Sequence, residues 1–247
     1  MQSAPSNYNT IIAGPHRFET RVIFTLGNGS TLTMMEEDGI FSISRKLPGM
    51  PENYPSVGGA LSSTLYLKVK TPAETIPKMG QIVVQFRAVD DTDSSNVSGW
   101  AAAGTYFIDT RAESEDAVST TEFTAYDAMM KGEQDYIPDS SESWPRLDSS
   151  VVSDIATAIG VAVDSRTNSF LTAGYRINPP TDYVMREVLE NIAAMYGGNF
   201  VITAENKLLF VPLYGIDPEE NMDGYYLAED GSTDALMFGD EGWYIIV

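Results

Sequence analysis

The spacing of the apolar residues changes once along this chain, within residues 121–136, TEFTAYDAMMKGEQDY. The first half alternates, with Phe123 and Ala125 on one side, which is typical of a half-buried strand. From Asp127 onward the run AMMKGEQ consists mostly of residues that favour a helix, and Asp127 can cap its first backbone N–H groups. The pattern therefore predicts a junction between a β-rich N-terminal segment and a helix-containing C-terminal segment.

The N-terminal segment contains short alternating stretches separated by turn residues. Asn28-Gly29 lies between TRVIFTL and STLTMM, and this arrangement is the strongest local signal of a β-hairpin. Further stretches alternate in the same way, among them GIFSISRK, in which Ile40 and Ile43 fall on opposite sides. Six or seven strands without an intervening helix predict a small antiparallel barrel or sandwich over residues 18–126. Residues 1–17 are expected to form a flexible arm.

The C-terminal segment shows two amphipathic helical patterns and one hairpin pattern. Asp148 or Ser149 can cap the first helix and Gly160 can end it. Thr181 can cap the second helix and Gly197-Gly198 can end it. The apolar residues at helical spacing are Val151, Val152, Ile155 and Ile159 in the first helix, and Val184, Val188, Leu189, Ile192 and Met195 in the second. FVIT and KLLFVPL then form a closing hairpin.

These patterns predict an α+β protein with several parts. The β domain is followed by a smaller α/β module with two helices and a β-hairpin over residues 127–215. Residues 216–247 are expected to begin a further β segment or a C-terminal extension. Phe123, Tyr126, Met129 and Trp144 are the residues expected to pack at the domain junction.

The charge of the chain limits its partners. Fifteen Lys and Arg residues stand against 35 Asp and Glu residues, for a formal net charge of −20. Sequence-specific binding of nucleic acid and binding to an anionic membrane surface are therefore not expected. The sequence contains no Cys, which excludes disulfides and thiolate metal sites. No apolar run approaches the roughly 20 residues needed to span a bilayer, so we expect no membrane insertion and synthesis in a cytoplasm.

Catalytic and metal-binding patterns are weak. The only histidine is His16, in the expected arm, so a Ser-His-Asp triad or a histidine metal site cannot be built from this chain alone. Asp91 and Asp93 begin like a calcium loop, but Asn96 and Ala102 occupy the positions that need Gly and a bidentate Glu. We therefore expect no cofactor, no metal site and no enzymatic activity. Two alternatives stay open: a carboxylate-dependent cell-wall hydrolase, because two of the many acids can meet in space, and a carbohydrate-binding β module of a surface adhesin.

Three stretches together resemble a known family. They are FTAYDAMMKGEQDY with WP at 144–145, SSVVSDIATAIGV at 149–161, and TDYVMREVLENIAAMYGGNFVITAENKLLFVPL at 181–213. In this order they resemble the N-terminal region of bacteriophage tail hub proteins, the baseplate-hub family of T-even and Mu-like phages. The resemblance covers about residues 18–215 and is distributed, without a single diagnostic residue.

The resemblance implies a tail-tube-like β-barrel followed by an α/β module. It also implies a homotrimer in which each subunit gives two barrels to a pseudo-six-fold ring that joins the tail tube to the tail tip, although only one barrel fits before residue 126. The implied partners are a distal tail protein or tail tube ring, the tape measure protein, and tail tip, spike or receptor-binding components. The implied location is the virion of a phage or prophage, after synthesis in the host cytoplasm.

Loops are the expected places of contact with partners, because binding residues are concentrated on loops that a rigid scaffold holds. The two candidates are the Pro- and Gly-rich loop at residues 47–59 and the acidic tip at residues 90–99. The interface candidates on these loops are Pro48, Met50, Tyr54, Asp90, Asp91 and Asp93.

Overall fold

The computed structural model describes residues 4–47, 56–115 and 118–213, which belong to one compact unit. The helices are α1 (Tyr8–Ile12), α2 (Asp148–Ile159), α3 (Ser165–Phe170) and α4 (Met185–Met195), with 3₁₀ helices at Glu36–Asp38 and Ala128–Glu133. The strands are β1 (His16–Thr25), β2 (Thr31–Met35), β3 (Ile40–Lys46), β4 (Gly59–Leu61), β5 (Thr64–Lys70), β6 (Gln81–Asp90), β7 (Ala101–Glu115), β8 (Ser119–Tyr126), β9 (Arg146–Leu147), β10 (Ala162–Val163), β11 (Arg176–Ile177), β12 (Gly198–Ile202) and β13 (Lys207–Pro212). Within the described ranges no helix is long and apolar enough to cross a membrane. The predicted segment 216–247 lies outside them.

Seven antiparallel strands form one curled sheet in the order β2-β1-β6-β7-β8-β5-β3. The first half of β7 pairs with β6 and the second half pairs with β8, so that Phe107 lies opposite both Gln81 and Tyr126. The 15-residue strand β7 therefore joins two halves of the sheet. Among the described strands, β2 and β3 do not pair with each other, so this part of the chain forms a half-barrel with two open edges.

The predicted hairpin is confirmed as β1 and β2, which pair from Thr25 opposite Thr31 to Arg21 opposite Met35. Gly29 has a φ of 81° and its N–H donates to the carbonyl of Leu26, so the turn uses a conformation that favours glycine. The apolar side chains that alternate along the strands fill the core of this sheet. They include Val22, Phe24, Leu65, Leu67, Val69, Ile82, Val84 and Phe123.

The prediction for β3 was wrong in one respect. Ile40 and Ile43 both pack against the core, whereas strict alternation places them on opposite faces. The register against β5 shifts between Ile40 and Ser42, so one extra residue lies between the two isoleucines. This β-bulge reverses the alternation and leaves Phe41 exposed.

Two more bulges bend β7. Val84 pairs with Gly104 and Gln85 pairs with Ala102, so Ala103 is the extra residue opposite β6. Gly104 has a φ of 147°, and a Cβ at this position would lie 2.6 Å from the ring of Tyr106. The first bend of the half-barrel therefore requires glycine at position 104.

The α/β module is built on a four-stranded sheet in the order β10-β13-β12-β4. The predicted closing hairpin is confirmed as β12 and β13. Strand β4 comes from the N-terminal segment and pairs in parallel with β12. Asn199 holds this pairing, because its Oδ1 accepts from Gly59 N at 2.7 Å and its Nδ2 donates to Ser56 O at 2.9 Å. The core of the module packs α2 and α4 against this sheet.

Helix α2 ends as predicted but is not capped as predicted, because Asp148 and Ser149 are its first two residues and its N-cap is Leu147, without a side-chain cap. Gly160 ends α2 with a φ of 80°. Helix α4 departs from the prediction at its start. Helix α4 begins at Met185 rather than after Thr181, because Asp182 has a positive φ of 65°, which a helix cannot contain. Met185 is buried, whereas Met195, which was predicted on the apolar face, is exposed at the last position of the helix. The short helix α3 was not predicted; its N-cap is Asp164, which accepts from Arg166 N at 3.0 Å.

The N-terminal part also differs from the prediction of a flexible arm. Residues 8–12 form α1, Ile11 is buried, and α1 packs on β6. His16 is the first residue of β1 and not part of an arm. Its Nδ1 bonds to Gly14 O at 2.8 Å, and its ring meets Phe18 edge-on at 5.2 Å.

Replacement of Gly104 by alanine is predicted to destabilise the fold. The new Cβ would meet the Tyr106 ring while the backbone keeps a strained positive φ, for a loss of about 3 kcal/mol in the free energy of unfolding. Urea denaturation measures the loss. Gly27→Ala is the control, because no atom lies within 4 Å of its added Cβ. Equal stability of the two variants would contradict the prediction.

Candidate functional site

A buried carboxylate lies where the half-barrel meets the α/β module. Asp127 follows β8, and its Oδ1 accepts from Met129 N at 3.0 Å, which caps the 3₁₀ helix as predicted. The same carboxylate reaches the link between β4 and β5, where it accepts from Ser62 Oγ at 2.9 Å and from Ser63 N at 2.6 Å. Burial raises the pKa of Asp127 above its ordinary value of 3.8, although these hydrogen bonds act in the opposite direction.

A cleft of about 420 Å³ opens beside Asp127 at one end of the half-barrel. Tyr106 and Arg45 line it from the large sheet, and Thr203 lines it from the turn after β12. Arg45 Nη1 donates to the carbonyl of Ala103, the bulged residue of β7. Asp127 is the one carboxylate among the described lining residues, so this cleft does not present the acid pair that glycoside hydrolysis uses.

The two edges of the half-barrel differ in charge. Strand β3 carries Arg45 and Lys46, whereas β2, TLTMM, carries no charged side chain. Leu26 N donates to Ser30 O at 2.8 Å, so these two residues form a hydrogen-bonded pair. Hydrogen-bonded and non-hydrogen-bonded pairs alternate along antiparallel strands. The backbone N–H and C=O groups of Thr31 and Thr33 therefore point away from β1. An uncharged edge with outward N–H and C=O groups is a template for pairing with another strand.

Two arginines lie over one tryptophan on the side of β1 and β6 that faces away from the core, and a third, Arg17, shares Glu19 with one of them. We call Arg17, Arg21, Arg87 and Trp100 the arginine–tryptophan cluster. The guanidinium carbons of Arg21 and Arg87 lie 4.2 Å and 4.7 Å from the centre of the Trp100 ring. Partial burial, and then the charge of Arg87, lower the pKa of Arg21. Cation–π contacts of this kind hold both guanidinium groups in place.

The carboxylates of this cluster are fewer than its cations. Arg87 forms two hydrogen bonds to Glu19 Oε2, at 2.9 Å and 2.7 Å. Arg17 lies 3.2 Å from the other oxygen of Glu19 and 3.4 Å from Asp91. Arg21 donates to Gln85 Oε1 at 2.8 Å, and no described carboxylate pairs with it.

The acidic tip is organised by its own side chains. Asp90 accepts from Thr92 Oγ1 at 2.6 Å and Asp93 accepts from Ser95 Oγ at 2.7 Å, and these bonds lower the pKa of both carboxyls. Asp91 pairs with Arg17. In the described ranges no group of three or more acids and histidines is placed to hold a metal ion. The other interface candidates, Pro48, Met50 and Tyr54, lie outside the described residues.

The four predicted junction residues lie in different surroundings. Phe123 packs in the core of the large sheet, 5.5 Å from the ring of Phe24. Met129 is buried in the core of the α/β module, and Trp144 is half-buried against that core. Tyr126 is half-buried at the end of β8, opposite Phe107.

The sequence analysis missed three features: the bonds from Asp127 to the β4–β5 link, the pairing of β4, and the arginine–tryptophan cluster. Each brings together residues more than 60 positions apart. The available signal for the cluster was that Arg21, Gln85 and Arg87 occupy the polar positions of alternating strands.

Solved structures provide the comparison for this fold. A 43 kDa tail protein of prophage MuSo2 from Shewanella oneidensis aligns with a TM-score of 0.54 over 81% of this chain, at 14% identity. This chain shares its fold with that tail protein. The alignment covers 57% of the Shewanella protein, so the chain spans a little over half of its length.

Two further structures align with lower scores. The prophage tail protein gp18 from Listeria monocytogenes EGD-e gives a TM-score of 0.44 at 9% identity, over 78% of this chain and 50% of that one. A chain of the Francisella PdpA-VgrG complex gives 0.47 at 10% identity, over 84% and 30%. No protein-family model matches the sequence, and the comparison with curated protein sequences found no match.

Removal of the Asp127 carboxylate is predicted to destabilise the junction. Asp127→Ala leaves the buried N–H groups of Ser63 and Met129 without their acceptor, which costs about 3 kcal/mol in the free energy of unfolding. Chemical denaturation at neutral pH measures this cost. Asp109→Ala removes an exposed carboxylate from the adjacent strand and is expected to change stability by less than about 0.5 kcal/mol. A loss of similar size in both variants would contradict the assigned role.

The Asp127 carboxyl is also predicted to make stability depend on pH. Because its pKa is raised in the folded state, the folded protein binds more protons than the unfolded chain above pH 3.8. Its contribution to stability is therefore complete below pH 3.8 and is lost as the pH rises through the folded pKa. Asp127→Asn removes this titration. The measurement is the difference in free energy of unfolding, wild type minus variant, as a function of pH. We expect this difference to fall as the pH rises above 3.8. A difference that rises with pH would contradict the direction of the shift.

Proposed function

We propose that this chain is a structural, non-enzymatic component of a phage or prophage tail, and that it acts as the hub that joins the tail tube or distal tail ring to the tail tip. The observation that carries the proposal is the fold shared with the Shewanella prophage tail protein over 81% of the chain. The order of the three sequence stretches that resemble tail hub proteins supports the same assignment.

The open half-barrel supports a role in assembly. Its β2 edge presents backbone donors and acceptors without a charged side chain to prevent pairing, as an intersubunit contact requires. The proposed assembly is a homotrimer, and residues 18–126 and 127–215 are the proposed domains. The proposed partners are a distal tail or tube ring, a tape measure protein, and a tip, spike or receptor-binding component in the virion.

The homotrimer predicts the mass of the protein in solution. Light scattering over a concentration series should approach three times the 27.0 kDa of one chain as the concentration rises. Dilution should return the mass to that of one chain with a single cooperative step, because closed rings form without stable open intermediates when each contact is weak. A constant mass of one chain up to millimolar concentration would reject the trimer and weaken the hub assignment.

A further inference from the structure

The arginine–tryptophan cluster is unusual for a chain of this charge. Acids outnumber basic residues by 35 to 15. Even so, Arg21 faces Arg87 and Trp100 rather than a carboxylate, and Arg87 and Arg17 share Glu19. A local excess of arginines in a chain that has many more acids indicates that this surface suits an anionic partner.

The chemistry of the cluster fits a protein partner. Trp and Arg are the residue types most enriched at the energetic centres of protein interfaces. The ring of Trp100 holds the planar groups of Arg21 and Arg87, so less side-chain entropy is lost when they bind carboxylates. The cluster also adjoins the open edge of the sheet, because Arg21 lies opposite Met35 of β2.

The α/β module carries a surface of the opposite composition. Ile137 is 84% exposed, the highest value among the large apolar residues of the described chain. It lines a cleft of about 360 Å³ together with Asp135, Asp139 and Glu142, all exposed. We call these four residues the acidic Ile137 surface. Arg146, the one cation among the described lining residues, already pairs with Asp154 at 2.5 Å.

We propose that the arginine–tryptophan cluster of one copy binds the acidic Ile137 surface of a second copy. This inference rests on the self-assembly in the proposed function and names the two faces that make the contact. Each face offers one large apolar side chain beside an excess of charge, and the excess has opposite signs: three arginines against Glu19 and Asp91 on the cluster, and Asp135, Asp139, Glu142 and Asp154 against Arg146 on the other face. Because the faces differ, the contact is heterologous, and it closes a three-membered ring when neighbouring copies are related by a rotation of one third of a turn.

Two charge reversals test the contact from its two sides. Arg21→Glu changes the cluster, and Glu142→Arg changes the acidic Ile137 surface. Each should weaken assembly at least about ten-fold, measured by light scattering, because like charges then face each other. Lys78→Glu is the matched control: it reverses an exposed cation of the same half-barrel outside the cluster, and the assembly constant should stay at its wild-type value. Thermal unfolding followed by circular dichroism verifies that all variants are folded.

A mixture of the two reversed variants gives the sharper test. The Arg21→Glu chain keeps an intact acidic Ile137 surface, and the Glu142→Arg chain keeps an intact cluster. Mixed in equal amounts at millimolar concentration, the two chains should associate more strongly than either chain does alone, because only the mixture contains a wild-type pair of faces. A complex that contains both chains, detected by light scattering and by native mass spectrometry, supports the inference.

The outcomes separate this inference from the proposed function. A trimer that persists in both reversed variants overturns the inference and leaves the proposed trimer intact. A mixture of folded chains that associates no more strongly at millimolar concentration than each variant alone also overturns it, because the intact faces then fail to bind. A wild-type protein that stays a single chain at every concentration overturns the inference and the proposed trimer together.

Discussion

The arrangement of the half-barrel and the α/β module depends on the hydrogen bonds that the Asp127 carboxylate accepts. The chain crosses between the half-barrel and the α/β module at the β4–β5 link and again after β8, and both crossings end on this side chain. A carboxylate can accept several hydrogen bonds at once, whereas an asparagine presents a single acceptor oxygen. The backbone donors of Ser63 and Met129 compensate for its burial. Burial disfavours the charged form of Asp127 and raises its pKa, at the same place where its hydrogen bonds hold the half-barrel and the α/β module together.

The curvature of the large sheet depends on the bulges of β7. A bulge frees the carbonyl of Ala103 from the ladder with β6, and Arg45 from the edge strand β3 donates to that carbonyl. This side chain therefore links an edge strand of the half-barrel to its middle strand. Gly104 permits the bend, since any other residue would meet the ring of Tyr106. Among the described strands, β2 and β3 are the edges of this sheet, and an assembly can use them.

The sequence predicted the features that depend on near neighbours. The β1–β2 turn, the alternation in β5 and β6, and the end of α2 at Gly160 each depend on residues a few positions apart. The start of α4 was misplaced because Thr181 has the right type for a cap while Asp182 adopts a left-handed conformation. Long-range pairings had no comparable signal. Asn199 and Gly59 are 140 positions apart, and the periodicity of β4, three residues long, is too short to indicate its partner.

The same distinction applies to the candidate site. The sequence predicted the acidic tip as a contact loop, which stays a prediction; within it Asp90 and Asp93 bond to their own turns and Asp91 pairs with Arg17. The cationic surface was not predicted, because the register of β1 against β6 assembles it, by placing Glu19 opposite Arg87 and Arg21 opposite Gln85. A net charge of −20 therefore describes the chain and not each of its faces. A ring built from identical copies needs two complementary surfaces on every chain, and strand register can create the minority surface where composition alone predicts a uniformly acidic one.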